Sequence, residues 1–291
     1  MQYSTFAAID IGSYDVILEI FEISKKQGIR SVDKICHRME LGKDTYTLGK
    51  IRPEMEEELC RVLADFVRIM EGYRVDAYRA MASSAISEAA NSLYVLGKIR
   101  QLTGLSVTVL SNSEQRFLGY KALAAMEDNF NKVIEKGTAI LDLDGGSFQI
   151  SLFDKDALVT TQNIRMGSLR VRERLAGIQS ETEHYEEMVE ELIWNEVSSF
   201  KKMYLKDRKI ENIMLIGDVF TDSVYQNIEE KTTKIISREN FNTWYEKIIR
   251  QSPMELAVKL GIPLENASLM YPSAVIYKCL IDMMEAEHVW I

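Results

Sequence analysis

The chain has 291 residues, 46% of them hydrophobic and 27% charged, with only 4 prolines and 15 glycines. That composition excludes long disordered stretches and leaves room for two domains. The net charge of −9 argues against a nucleic-acid binder, which would carry a basic face, although a local basic patch can still line a cleft for a polyanion.

The chain opens on a strand ending in acid and glycine, Ala8-Ile9-Asp10-Ile11-Gly12-Ser13, followed by a second apolar run from Val16 to Phe21. This reads as a β-hairpin with a tight Gly/Ser turn. A polar segment ends in Leu41-Gly42-Lys43-Asp44. Pro53 then opens a helix in which Leu59, Val62, Leu63, Phe66, Val67 and Met70 recur at three- and four-residue spacing. Val75 to Met81 reads as a strand, Ala82-Ser83-Ser84-Ala85 as a small-residue turn, and Ala89 to Ile99 as a helix. A strand at 107–110 and a helix at 113–126 complete a first α/β half.

Residues 127–136 read as the crossover. The second half repeats the opening pattern: Leu141-Asp142-Leu143-Asp144-Gly145-Gly146-Ser147, then an apolar run from Phe148 to Phe153. A third strand is expected at 158–164 and a long amphipathic helix from Tyr185 to Phe200. A buried strand follows at 213–216, and then mostly helices, including 238–250 and 272–284. Glycine lets backbone N–H groups turn toward an approaching anion, and serine adds a hydroxyl donor. Two such turns could grip phosphates from both sides of a cleft, with Asp10 and Asp142 holding a metal or its waters.

Glu114 is the most informative carboxylate. Ser111 three residues earlier makes a capping box one reading, and a general base at a helix N-terminus the other. Arg165, Arg170, Arg172 and Arg174 form either a phosphate clamp or a solvated helix face. His37, His184 and His288 lack metal-ligand spacing, and Cys36, Cys60 and Cys279 read as reduced thiols. No apolar run reaches the ~20 residues of a membrane span, and no signal peptide precedes the first strand, so a cytoplasmic protein is expected.

These residues resemble the exopolyphosphatase / guanosine pentaphosphate phosphatase (Ppx/GppA) family of the sugar kinase–Hsp70–actin superfamily. The family's D-I-G-S-N-S matches Asp10 to Asp15, its L-G matches Leu41-Gly42, and its A-T-S-A-x-R-E-A matches Ala82 to Ala89. Its S-G-x-E-E-A-R stretch puts the catalytic base on Glu114. Its D-I-G-G-G-S-T-E falls on Asp142 to Gln149, and its L-G-x-x-R on Met166 to Arg170.

The resemblance implies two actin-like (ribonuclease H-like) α/β lobes, residues 1–125 and 126–291, with mixed β-sheets flanked by helices and an interlobe cleft. It implies phosphate binding by Gly12, Ser13, Gly145, Gly146 and Ser147, and a divalent metal, Mg2+ or Mn2+, on Asp10 and Asp142. The expected substrate is polyphosphate or a guanosine penta- or tetraphosphate, with no nucleic acid or membrane partner and a homodimer left open. The helical third domain of the long exopolyphosphatases is not expected.

The chain also departs from the family. Ile17 and Ser87 replace arginines, which removes charge-assisted bonds worth about 1.5–3 kcal/mol each. Asp144 replaces a glycine, Gln149 a glutamate, and the G-x-G-G-T loop survives only as Gly217-Asp218-Val219-Phe220-Thr221. Three readings follow: a metal-assisted phosphoanhydride hydrolase, a catalytically weakened nucleotide or alarmone-binding regulator, and a phosphotransferase, against which the degraded loop argues.

Overall fold

A computed structural model describes residues 3–126, 130–176, 185–206, 208–217, 220, 221, 223 and 235–291. The chain divides into two compact units, Met1–Phe117 and Leu118–Ile291.

In the first unit, β1 (Ser4–Ile11), β2 (Asp15–Ser24) and β3 (Gly28–Arg38) form an antiparallel meander. β4 (Ala77–Ala82) and β5 (Val107–Val109) then add parallel strands, giving the order β3-β2-β1-β4-β5. Alternation places Ala7, Ile9 and Ile11 on one face with Val16, Leu18 and Ile20, where they meet Leu59, Leu63 and Phe66 of α2 (Pro53–Gly72). Asp10, at an alternate position, is exposed.

Two elements differ from the expected polar segment. Residues 28–38 form β3, an exposed edge strand, and α1 (Leu41–Leu48) precedes α2. Helix α1 tolerates the nearly fully buried Asp44 because its carboxylate accepts from the Arg52 backbone N–H at 3.0 Å and from Arg52 Nε at 2.9 Å. Short helix α3 (Ser84–Ser87) follows β4, then α4 (Ser92–Thr103), and α5 (Asn112–Met126) leads into the second unit.

The second unit repeats this plan. β6 (Thr138–Leu143), β7 (Phe148–Asp154) and β8 (Ala157–Ile164) are antiparallel, and β9 (Asn212–Ile216) joins β6 in parallel. β10 (Ile235–Ser237) and β11 (His288–Trp290) complete the order β10-β11-β9-β6-β7-β8. One face packs on α7 (Ser168–Leu175), α8 (Tyr185–Phe200), α9 (Arg238–Ile249), α10 (Pro253–Leu260) and α11 (Leu264–Met284). The other packs Ile140, Phe153 and Met214 against Phe130, Val133 and Ile134 of α6 (Phe130–Ile134). Helix α11 begins eight residues before Pro272, the expected start, and carries that proline in its interior. Its buried residues on both sides of Pro272 outweigh the lost hydrogen bond. Among the described residues no helix is long and apolar enough to cross a membrane.

Candidate functional site

The hairpin turn between β6 and β7 closes with the Asp144 N–H donating to the Ser147 carbonyl at 2.9 Å. Its other carbonyls are all spoken for. The Ser168 N–H donates to Asp144 O at 3.2 Å, the Arg170 N–H to Gly145 O at 2.9 Å, and Arg170 Nε to Gly146 O at 2.8 Å. The start of α7 therefore fastens the turn from one side. Gly167 permits this approach, because a Cβ there would run into Asp144 O, the Gly145 carbonyl carbon and Ser147 N.

In a trans peptide the C=O and the following N–H point in opposite directions. Fastening the carbonyls of residues 144, 145 and 146 thus turns the N–H groups of Gly145, Gly146 and Ser147 the other way. The Gly145 N–H is taken by Asp144 Oδ1 at 2.6 Å. Those of Gly146 and Ser147 have no acceptor among the described residues. The Ser147 hydroxyl accepts from Asn163 Nδ2 of β8 at 3.2 Å. Such a row of donors has the form in which backbone N–H groups can receive an anion.

Asp142, next to the last residue of β6, stands opposite Gln149 on one side and Ile216 on the other. Burial, and secondarily the charge of Asp144, push its carboxyl up to about 6. Glycines flank it: a Cβ on Gly217 would lie 3.6 Å from Asp142 Oδ1, and one on Gly119 3.8 Å from Oδ2. Among the described residues, no group of three or more His, Cys, Asp or Glu side chains is placed to hold a metal. A magnesium ion typically uses one or two carboxylates and completes its shell with water and phosphate oxygens. Asp142, a desolvated carboxylate with no ion pair among the described residues, fits that role.

The first unit's turn is built differently. Gly12 donates its N–H internally, to Asp15 O at 2.9 Å, and Gly42 of the Leu41-Gly42 pair donates to Ser13 O at 2.8 Å. Ser13 is fully buried. Its Oγ lies 2.6 Å from Tyr46 Oη and 3.4 Å from Ser84 Oγ, and the latter two are 2.9 Å apart. Two sequence motifs, those of Ser13 and Ser84, thus meet in one hydroxyl cluster with Tyr46. Tyr46, on α1, carries no motif that would have announced it. Ile17 stands opposite Asp10 just as Gln149 stands opposite Asp142, so two of the family departures occupy equivalent positions of the duplicated hairpin.

Glu114 caps its own helix. Its Oε2 accepts from the Ser111 N–H at 2.9 Å and from Ser111 Oγ at 2.7 Å, and the Glu114 N–H donates back to Ser111 Oγ at 3.3 Å. The Ser111 backbone and hydroxyl donors hold the carboxyl below its usual range. Ser252 and Glu255 make the same box at α10, at 2.8, 2.8 and 3.3 Å and with the same lowering.

The arginine run after β8 is mostly structural. Arg170 holds the turn, Arg172 pairs with Glu173 at 2.7 Å and reaches Ser268 Oγ at 2.8 Å, and Arg174 Nη1 approaches Met166 Sδ at 3.6 Å. His37 lies 3.4 Å from Glu58. His184, Asp218 and Val219 lie outside the described residues.

Two units built on one strand plan, each with a Gly/Ser turn after its first strand, define an actin-like α/β protein. Within that class the chain belongs to the Ppx/GppA phosphatase family, whose model matches residues 19–291. The fold is similar to that of an exopolyphosphatase from Cytophaga hutchinsonii (TM-score 0.83, 17% identity, covering 98% of this chain and 93% of that one). An Aquifex aeolicus family member is also similar (TM-score 0.76, 19% identity, covering 99% and 93%). In sequence, the chain is 21% identical over 238 residues to the bifunctional 3-dehydroquinate synthase/phosphatase of Fusobacterium nucleatum, covering 77% of this chain and 34% of that protein. It is 25% identical over 144 residues to exopolyphosphatase 1 of Mycobacterium leprae, covering 49% and 41%. The match therefore spans less than half the length of either curated relative.

Proposed function

We propose that this protein is a cytoplasmic phosphoanhydride hydrolase of the exopolyphosphatase type, releasing terminal phosphate from polyphosphate or guanosine pentaphosphate by water attack. The observation that carries this reading is the β6–β7 turn, with its carbonyls fastened on one side and the Gly146 and Ser147 N–H groups turned to the other. Closely spaced backbone donors suit the oxygens of a phosphate. Family membership and the names of the relatives favour an anhydride as the ligand.

In this reading Gly145, Gly146 and Ser147 bind and orient the terminal phosphate, with Gly12 and Ser13 as their counterparts in the first unit. Asp142 holds a divalent cation, magnesium or manganese, and Asp10 is the corresponding carboxylate of the first hairpin. When bound, the cation neutralises charge on the transferring phosphoryl group. Glu114 takes the proton of the attacking water. Both Ser111 bonds fall on Oε2, which leaves Oε1 as the proton-accepting atom, and the lowered pKa keeps it ionised at neutral pH.

The test is phosphate release from tripolyphosphate, guanosine pentaphosphate and ATP with magnesium or manganese. Release by the wild type, falling ~10²–10⁴-fold in Glu114→Gln, is expected. Equal rates would remove Glu114 from the mechanism. A second reading, a nucleotide- or alarmone-binding regulator, is favoured by the match between the Ser111–Glu114 and Ser252–Glu255 boxes. Tight binding without turnover under either metal would select it.

A further inference from the structure

We propose that Asp144 is a specificity-determining residue whose carboxylate is an internal competitor for the anion donors of the β6–β7 turn. The inference rests on the phosphate-binding reading of that turn. Asp144 Oδ1 accepts the Gly145 N–H at 2.6 Å, so one of the three donors on the open side is already satisfied by an anionic oxygen of the chain itself. The turn cannot rotate that donor away, because the Asp144, Gly145 and Gly146 carbonyls are held by Ser168 and Arg170 and Gly167 leaves no slack behind them. An incoming phosphate oxygen must therefore displace the carboxylate and then bind beside its negative charge. A glycine at this position would impose neither cost.

The competition is selective. A bare anion meets both the occupied donor and the like charge. A phosphate chain that arrives with a divalent cation brings positive charge for the carboxylates of Asp142 and Asp144, so the Gly145 donor is released to the phosphate. Asp144 thus makes anion binding at this turn depend on the cation more steeply than the turn geometry alone requires, and it disfavours retention of metal-free orthophosphate.

The experiment is calorimetric binding of tripolyphosphate, with EDTA and then with magnesium, to the wild type, Asp144→Gly and Asp144→Asn, each checked for folding by thermal melt. Asp144→Gly should bind metal-free tripolyphosphate about tenfold more tightly than wild type, the ratio produced by 1.4 kcal/mol. Its enhancement by magnesium should shrink by a similar factor. Asp144→Asn removes the charge while its amide oxygen still faces the Gly145 N–H, and it should fall between the two. It keeps the side chain's shape, so it decides the matter if the glycine variant does not fold. Binding of unchanged or lower metal-free affinity in the variants overturns the role of Asp144 and leaves the phosphate reading standing. No binding by any of the three proteins, with or without magnesium, overturns both.

Discussion

The carbonyl oxygen of Asp144 occupies the space that a side chain on Gly167 would need, and the same oxygen accepts the Ser168 N–H. The neighbouring atoms are backbone, so they cannot swing aside. Gly167→Ala should cost about 1–3 kcal/mol, as overpacked sites do. A drop in denaturation midpoint together with loss of tripolyphosphate binding checks it. An unshifted midpoint would mean that α7 can back away from the turn.

Arg170 is a positioning residue in this arrangement. Arg170→Lys keeps the charge but loses the Nε bond to Gly146 O, and should weaken tripolyphosphate binding several-fold while barely moving the melt. If charge alone mattered, lysine would bind as well as arginine, and titration calorimetry separates the two.

Asp142 makes stability depend on pH. Its carboxyl titrates near 3.8 when unfolded and at about 6 when folded. Between those values the folded chain binds more protons, so stability present below pH 3.8 is lost as pH rises through 6. Each tenfold change in proton affinity is worth about 1.4 kcal/mol, so the loss is on the order of 3 kcal/mol. Asp142→Asn should therefore raise the metal-free midpoint at pH 8 and hardly change it at pH 4. Magnesium should stabilise the wild type at pH 8 and not the variant.

The twin capping boxes supply an internal control. Glu114→Gln and Glu255→Gln remove equivalent carboxylates from equivalent frames, so their stability losses should match. Stability from each carboxylate is present above pH 4.5 and lost as pH falls through the lowered folded value. Only Glu114→Gln should also cut phosphate release, by ~10²–10⁴-fold. If both variants hydrolyse alike, Glu114 is a cap and nothing more.

The duplicated hairpins were legible in the sequence because period-two strands and Gly/Ser turns are local signals. β3 was not, since an edge strand facing solvent carries no alternation to read. Asp44 disguised α1 as a loop, because its Arg52 partner lies beyond that helix. Pro272 looked like a boundary, yet burial on both sides carries α11 through it. The second turn and the Ser111–Glu114 box could both be named from motifs. The engagement of Asp144 with Gly145, the fit of Gly167 and the reach of Tyr46 are through-space facts that spacing does not encode.

The Ser13, Tyr46 and Ser84 hydroxyls close on one another. Each hydroxyl can donate or accept, and rotating one proton lets the others follow. The cluster therefore has a reversible polarity: the same three oxygens can present a proton to an oxygen or a lone pair to a water. An arginine at Ile17 or Ser87 could only donate, whereas each of these hydroxyls can do either.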